Sequence, residues 1–212
     1  MAACGTEHLA GGVEAGIERA IRAAHLQWAQ HSHEEDWGFL LIDARNAFNE
    51  ENRTAMLWAV RHKWPGGAQF TFNCYRHWAT LVVRHTADGS GHFLHSKEGV
   101  TQEDPLAMIT YGIGVLPLIR DLRRDHPRVT QPWYADNAGA GGKFGDVMAH
   151  FRDLQLRGPA RGYFPEPTKS ILVVAERDVP QATEYFRGMG IQVVTGSRYL
   201  GGFVGERETE GQ

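Results

Sequence analysis

A chain of 212 residues is long enough to bury a real core, as one domain or slightly more. A hydrophobic fraction of 42%, with six Trp and ten Phe, excludes a disordered chain. The net charge of −3 is ordinary for an enzyme and low for a protein that grips phosphates over a wide surface. Arg120, Arg123, Arg124 and Arg128 cluster, as do Arg152, Arg157 and Arg161. A nucleic-acid partner therefore requires either that the fold focuses these charges or that a more basic part of the molecule lies elsewhere. Cys4 and Cys74 are the only cysteines, so no disulfide framework is implied. The first residues lack a signal-peptide pattern, and no apolar run approaches the ~18 residues of a membrane span. These features point to a cytoplasmic or nuclear protein with no membrane partner.

In chain order, Val13, Ile17, Ile21, Ala24 and Trp28 recur at helical spacing, which predicts an amphipathic helix near 10–30. His31 to Asp36 is a polar connection. The run Gly38-Phe39-Leu40-Leu41-Ile42 predicts a strand ending at Asp43, and a helix through Met56, Leu57 and Val60 stops before Pro65. Residues 68–85 are ambiguous between helix and strand, and 88–91 read as a turn. Asp104-Pro105 is a helix start, with Asp as N-cap and Pro at the first helical position. That helix carries Leu106, Ile109, Ile113 and Leu116, with a kink expected at Pro117. A strand runs into Asp136, a tight turn follows, and a second strand runs toward Gly142. Then come a helix over 145–156, a strand from Ile171 to Ala175, and a helix from 180 to 188. Ile191 to Val194 and Tyr199 to Val204 are expected to close the sheet. Strands and helices intermix without a strict βαβ repeat, which predicts an α+β fold with a mainly antiparallel sheet backed by helices.

Asp43 and Asp136 each end an apolar run, where a carboxylate projects from the end of a sheet. Phosphodiester synthesis by two metal ions needs such carboxylates, and magnesium takes one or two of them beside phosphate and water oxygens. A strand that stops at Asp is also commonplace, and Asp-Asn is an ordinary turn pair. The neighbouring residues decide between these. Asp43-Ala44-Arg45-Asn46-Ala47-Phe48-Asn49 resembles the first catalytic motif of reverse transcriptases, an Asp followed at a fixed spacing by an aromatic. Ser96-Lys97-Glu98-Gly99-Val100-Thr101-Gln102-Glu103-Asp104-Pro105-Leu106 resembles the second. Tyr134-Ala135-Asp136-Asn137 resembles the Tyr-x-Asp-Asp hairpin. Gly162-Tyr163-Phe164 through Lys169-Ser170 resembles the fourth motif, and Tyr199-Leu200-Gly201 the fifth. All fall in the family's order, in the style of the non-LTR retrotransposon class.

The resemblance implies a polymerase palm over 37–205, an N-terminal helix and connection over 1–36, and a frayed tail over 206–212. It implies RNA-directed DNA synthesis with two Mg2+ or Mn2+ ions held by Asp43, Asp136 and Asn137. Lys169 would sit near the triphosphate and protonate pyrophosphate. Phe48 would crowd a 2′-hydroxyl, Gly99 and Gln102 would shape the template and nucleotide pocket, and Tyr134 would belong to the substrate site. The implied partners are an RNA template, a DNA primer and deoxynucleoside triphosphates.

Two departures stand out. Asn137 takes the place of a second hairpin Asp, and Glu103 replaces a glycine. The fingers ahead of the first motif and the thumb after the fifth are largely missing, to be supplied elsewhere if the chain is active. The alternative is a catalytically inactive retroelement remnant with at most weak nucleic-acid binding. A palm-like nucleotidyl cyclase also pairs carboxylates on such a sheet, but the Ser96 to Pro105 stretch argues against it. Gly139-Ala140-Gly141-Gly142-Lys143 fails the P-loop spacing. His31, His33, His92 and His95 have no Cys partners nearby and read as solvated loop residues.

Overall fold

Gly38 to Ile42 is apolar without alternation, the pattern of a strand covered on both faces. In the computed structural model, which describes residues 4–10, 13–84, 89–101 and 104–206, it forms β1 (Trp37–Ile42), buried throughout. β1 is the centre of a five-stranded sheet with β5 (Asn137–Lys143) and β4 (Trp133–Tyr134) on one side. On the other side lie β6 (Ile171–Val174) and β7 (Gln192–Val194). All neighbours are antiparallel except β6 and β7, which are parallel and joined through helix α7 (Val179–Tyr185). The α+β architecture with a mainly antiparallel, helix-backed sheet is as the sequence predicts.

Alternate residues of β1 serve two cores. Leu40 and Ile42 join the larger one. That core also takes buried residues of α3 (Arg53–Lys63), α5 (Ala107–Asp125) and α6 (Phe144–Arg157). Trp37, Phe39 and Leu41 join a second core under α1 (Gly16–His31) and a hairpin of β8 (Gly196–Tyr199) and β9 (Gly202–Gly205). The glycines of β5 are explained here. A Cβ on Gly139 would lie 2.8 Å from the Phe39 ring and 2.8 Å from Pro132, and one on Gly141 3.0 Å from the same ring. The Gly-rich run leaves room for an aromatic of the neighbouring strand.

Several boundaries differ from expectation. α1 begins at Gly16, and part of the segment ahead of it, Cys4 to Ala10, turns back to the sheet, where the Leu9 amide donates to the Trp133 carbonyl at 2.8 Å. The ambiguous stretch divides into helix α4 (Pro65–Tyr75), with Pro at its start, and strand β2 (Ala79–Arg84), paired with β3 (Gly91–Ser96). The expected turn at 88–91 begins at a residue outside the described ones. α5 continues unbroken through Pro117 to Asp125. Tyr199 to Val204 does not close the main sheet. Positive φ at Leu200 (51°) and Gly201 (87°) folds it into the separate β8–β9 hairpin. The short helix α2 (Ala47–Glu50) follows Asp43. Among the described residues no helix is long and apolar enough to cross a membrane.

Candidate active site

Asp43 leaves the end of β1. The ladder sets Ile42 opposite Ala138, so one step outward brings Asp43 opposite Asn137. Directly opposed residues of an antiparallel pair share a face. Asn137 also pairs with Tyr134, which leaves Ala135 and Asp136 as a two-residue turn. Ala135 has a φ of 52°, a left-handed conformation that costs a residue with a Cβ about 1 kcal/mol or more.

Such strain persists only where the surroundings impose it, and two buried side chains do so. The Nε2 of His8 bonds the Ala135 carbonyl at 3.0 Å, and the Tyr163 hydroxyl donates to the Asp136 carbonyl at 3.0 Å. Tyr163 is fully buried, its ring 5.4 Å from that of Trp133. Tyr163→Phe is expected to lower unfolding free energy by about 1 kcal/mol, the worth of one such bond. Urea titration checks this, and an unchanged midpoint would show that the bond does not hold the turn.

Asp43 and Asp136 are close enough to feel each other's charge. Burial pushes the Asp136 carboxyl above its ordinary pKa, and the like charge of Asp43 adds to that push. The Asn137 amide, donating to Asp136 Oδ1 at 3.1 Å, opposes it. Lys169 Nζ lies 3.9 Å from Asp43 Oδ2, a contact open to solvent and weak by itself. Asp43, Asn137, Lys169, Arg198 and Leu200 line an open cleft of about 280 Å³, and Asp136 stands beside it, more withdrawn. Among the described residues no group of three or more His, Cys, Asp or Glu gathers into a cation cluster. The two carboxylates and the Asn137 amide oxygen nevertheless fit magnesium's preference for a few protein oxygens completed by phosphate and water.

The other expected residues that the structure describes have contacts of their own within the chain. Phe48 is half-buried, its ring 4.6 Å from that of Tyr111. The Tyr111 phenol is held far above its ordinary pKa by burial and by its neighbours Tyr163, Glu51 and Asp136. Gly99, at φ 73°, has its N–H on the Glu51 carbonyl (2.8 Å), and Val100 bonds the Phe48 carbonyl (2.7 Å). Within the chain, then, the close approach that Gly99 permits is to the backbone of α2. Tyr134 packs toward the start of α1, within 3.5 Å of a Cβ placed on Gly16. Gln102 and Glu103 lie outside the described residues. Sequence reasoning missed His8, Tyr163 as the hydroxyl under the turn, and Arg198. Only Arg198 carried a signal, as a cation directly ahead of Tyr199-Leu200-Gly201.

Four of the seven clustered arginines are paired with acids. Arg120 pairs with Glu7 (2.6 Å), Arg124 with Asp121 (2.9 Å) and Asp125 (2.9 Å), and Arg128 with Asp146 (2.6 Å). Arg157 pairs with Asp125 (2.6 Å) and Asp153 (2.7 Å).

No protein-family model matches this chain, and no curated protein matches it. Solved structures do. Telomerase from Candida albicans, in complex with a fragment of telomeric RNA, superposes with a TM-score of 0.58 at 10% identity. That match covers 77% of this chain and 32% of the telomerase. Apo telomerase from Candida tropicalis gives 0.56 at 11% identity, covering 76% of this chain and 32% of that one. A form of it truncated from the C-terminal domain gives 0.55 at 14% identity, covering 76% and 35%. The chain spans about a third of the length of these telomerase chains, and at such identities the likeness is one of fold.

Proposed function

We propose that this chain is a reverse-transcriptase-like palm of retroelement origin, descended from an enzyme that made DNA on an RNA template, and that alone it has little or none of that activity. The observation that carries the reading is the register that sets Asp43 opposite Asn137 and beside a pinned, strained turn bearing Asp136. The fold likeness to telomerase, a reverse-transcriptase-related enzyme, agrees with it. The motifs between 43 and 201 agree as well.

In this reading Asp43 and Asp136, with the Asn137 oxygen, hold divalent magnesium or manganese, which when bound would polarise the primer hydroxyl and neutralise developing phosphate charge. Asp43 and Asp136 supply the fixed negative charge that retains such ions. Lys169 and Arg198 line the cleft as cations for phosphate oxygens, with Lys169 as the proton donor to the leaving group. By the motif resemblance Phe48 would limit the sugar, and Gly99 and Tyr134 would belong to the template and nucleotide pocket. The partners are an RNA template, a DNA primer and deoxynucleoside triphosphates.

Asn137 favours the inactive form. One unit charge removed about 4 Å from another is worth roughly 4 kcal/mol at an effective dielectric near 20. Each ~1.4 kcal/mol of lost transition-state stabilisation slows a reaction about tenfold. The expected result is Mn2+ binding that Asp43→Asn and Asp136→Asn each abolish, with no primer extension on an RNA template by the chain alone. Absence of Mn2+ binding would remove the metal site. Extension that Asp136→Ala abolishes would replace the inactive reading with a working polymerase.

A further inference from the structure

A second basic stretch lies away from the arginine clusters and has almost no acids in sequence. Residues 58–97 hold Arg61, Lys63, Arg76, Arg84 and Lys97 against a single acid, Asp88, in a chain of net charge −3. The same stretch presents Trp58, Phe70, Phe72, Trp78 and Phe93, each between 46% and 70% exposed.

Register sorts the β2–β3 hairpin into two unlike faces. Val82 opposes Phe93, Thr80 opposes His95, and Arg84 follows on the same side. Trp78 joins this side, with its ring 6.2 Å from that of His95, and Lys97 Nζ lies 4.4 Å over Trp78. The opposite side carries Leu81, Val83 and Leu94, with His92 opposite Val83 and Ser96 opposite Ala79. One face is thus aromatic and cationic, the other mainly aliphatic, and neither strand has a carboxylate. Along β2 the first face runs for about 20 Å at ~3.4 Å per residue.

The hairpin base is fixed to the body by one buried side chain, Arg53. Its guanidinium donates to the carbonyls of His77 (3.3 Å), Ser96 (3.1 Å), Glu98 (2.8 Å) and Gly99 (3.0 Å), and to Ser96 Oγ (3.1 Å). The direction of the aromatic face is therefore set before any ligand arrives.

We propose that the face formed by Trp78, Phe93, Arg84 and Lys97 binds single-stranded nucleic acid. Aromatic rings accept bases by stacking, at about 1–3 kcal/mol per base, and the interleaved cations take the phosphates. A polypeptide partner fits the aliphatic face better, since protein interfaces are depleted in lysine. The excess of cations over acids selects a polyanion. The surface lies outside the carboxylate site and acts whether or not Asp43 and Asp136 are catalytic.

The test is fluorescence anisotropy of the full chain with labelled single-stranded oligo-uridine and oligo-thymidine, without metal or triphosphate. Its failure is thereby distinguishable from failure of the polymerase reading. Saturable binding is expected, weakened at least tenfold by Trp78→Ala combined with Phe93→Ala. Arg84→Gln with Lys97→Gln is expected to flatten the log–log salt slope by about 1.4, at ~0.7 per phosphate contact on single strands. Leu81→Ser with Leu94→Ser, on the other face, leaves binding unchanged. Circular dichroism confirms that each variant is folded. The proposal is overturned by absence of saturable binding or by binding indifferent to Trp78 and Phe93. It is overturned equally by light scattering that shows a dimer dissolved by those same substitutions, which makes the face a contact between copies of the chain.

Discussion

Glu51→Gln will stabilise the protein at pH 7, by no more than about 3 kcal/mol, and change it little near pH 4. Glu51 sits between α2 and α3 with no exposed surface, and neither carboxyl oxygen has a hydrogen-bond partner. Its surroundings include Met56 and Gly114, with Tyr111 close enough to feel its charge. Burial alone holds its pKa well above 4.5. The unfolded chain releases this proton as pH rises past 4.5, while the folded chain keeps it. The folded state therefore binds more protons, and stability falls as pH rises from the unfolded pKa toward the folded one. Holding a carboxyl above its ordinary pKa costs stability, at most about 3 kcal/mol at pH 7 for an unfolded pKa near 4.5, and an amide of the same shape escapes that cost. Thermal unfolding across pH 4–8 should show the two proteins diverging, with the variant's melting temperature the higher at pH 7, by no more than roughly 12 °C. Parallel pH profiles would mean that Glu51 is solvated or paired in the native protein.

Gly162→Ala should be the most damaging single-carbon change near the site, costing at least about 3 kcal/mol. At φ 75° Gly162 is in the left-handed region, and any Cβ there would run into the Glu50 carbonyl, lie 2.5 Å from the Asn52 nitrogen and 2.6 Å from Glu51 Cα. These are backbone atoms next to a ladder-like contact, Asn52 N–H on the Arg161 carbonyl at 3.0 Å, so neither side can yield cheaply. The next residue is Tyr163, whose hydroxyl braces the Asp136 turn, so Mn2+ affinity should fall together with stability. Urea unfolding read beside Mn2+ titration checks both. A loss under 1 kcal/mol would show that the 158–163 segment can move off α2.

How much of this was legible depended on whether the chemistry is local. The β1 strand, the Asp104 start of α5 and the Asp136 turn are written in contiguous residues. The side chain of Asp104 does accept the Leu106 amide at 2.9 Å, although regular helix begins at Ala107. The parallel pairing of β7 with β6 and the detachment of β8–β9 were not legible, because partner choice depends on long-range register. His8 was invisible for the same reason: its bond to Ala135 spans 127 positions, and nothing around it in sequence marks it. The Arg120–Arg128 cluster misled in the opposite sense, since sequence shows charge and only the fold shows that Glu7, Asp125 and Asp146 neutralise it. Of the expected site residues, Asp43 and Asn137 meet across one ladder step, whereas Phe48 and Gly99 meet on α2.

The turn at Ala135-Asp136 is gripped through its two peptide carbonyls, one by His8 and one by Tyr163. Neither grip involves the side chain at 137. Shape and charge at this tip are consequently independent inheritances: a lineage can trade an acid for an amide there and keep the loop in place. The outline of the tip is thus fixed by groups other than the side chains it displays.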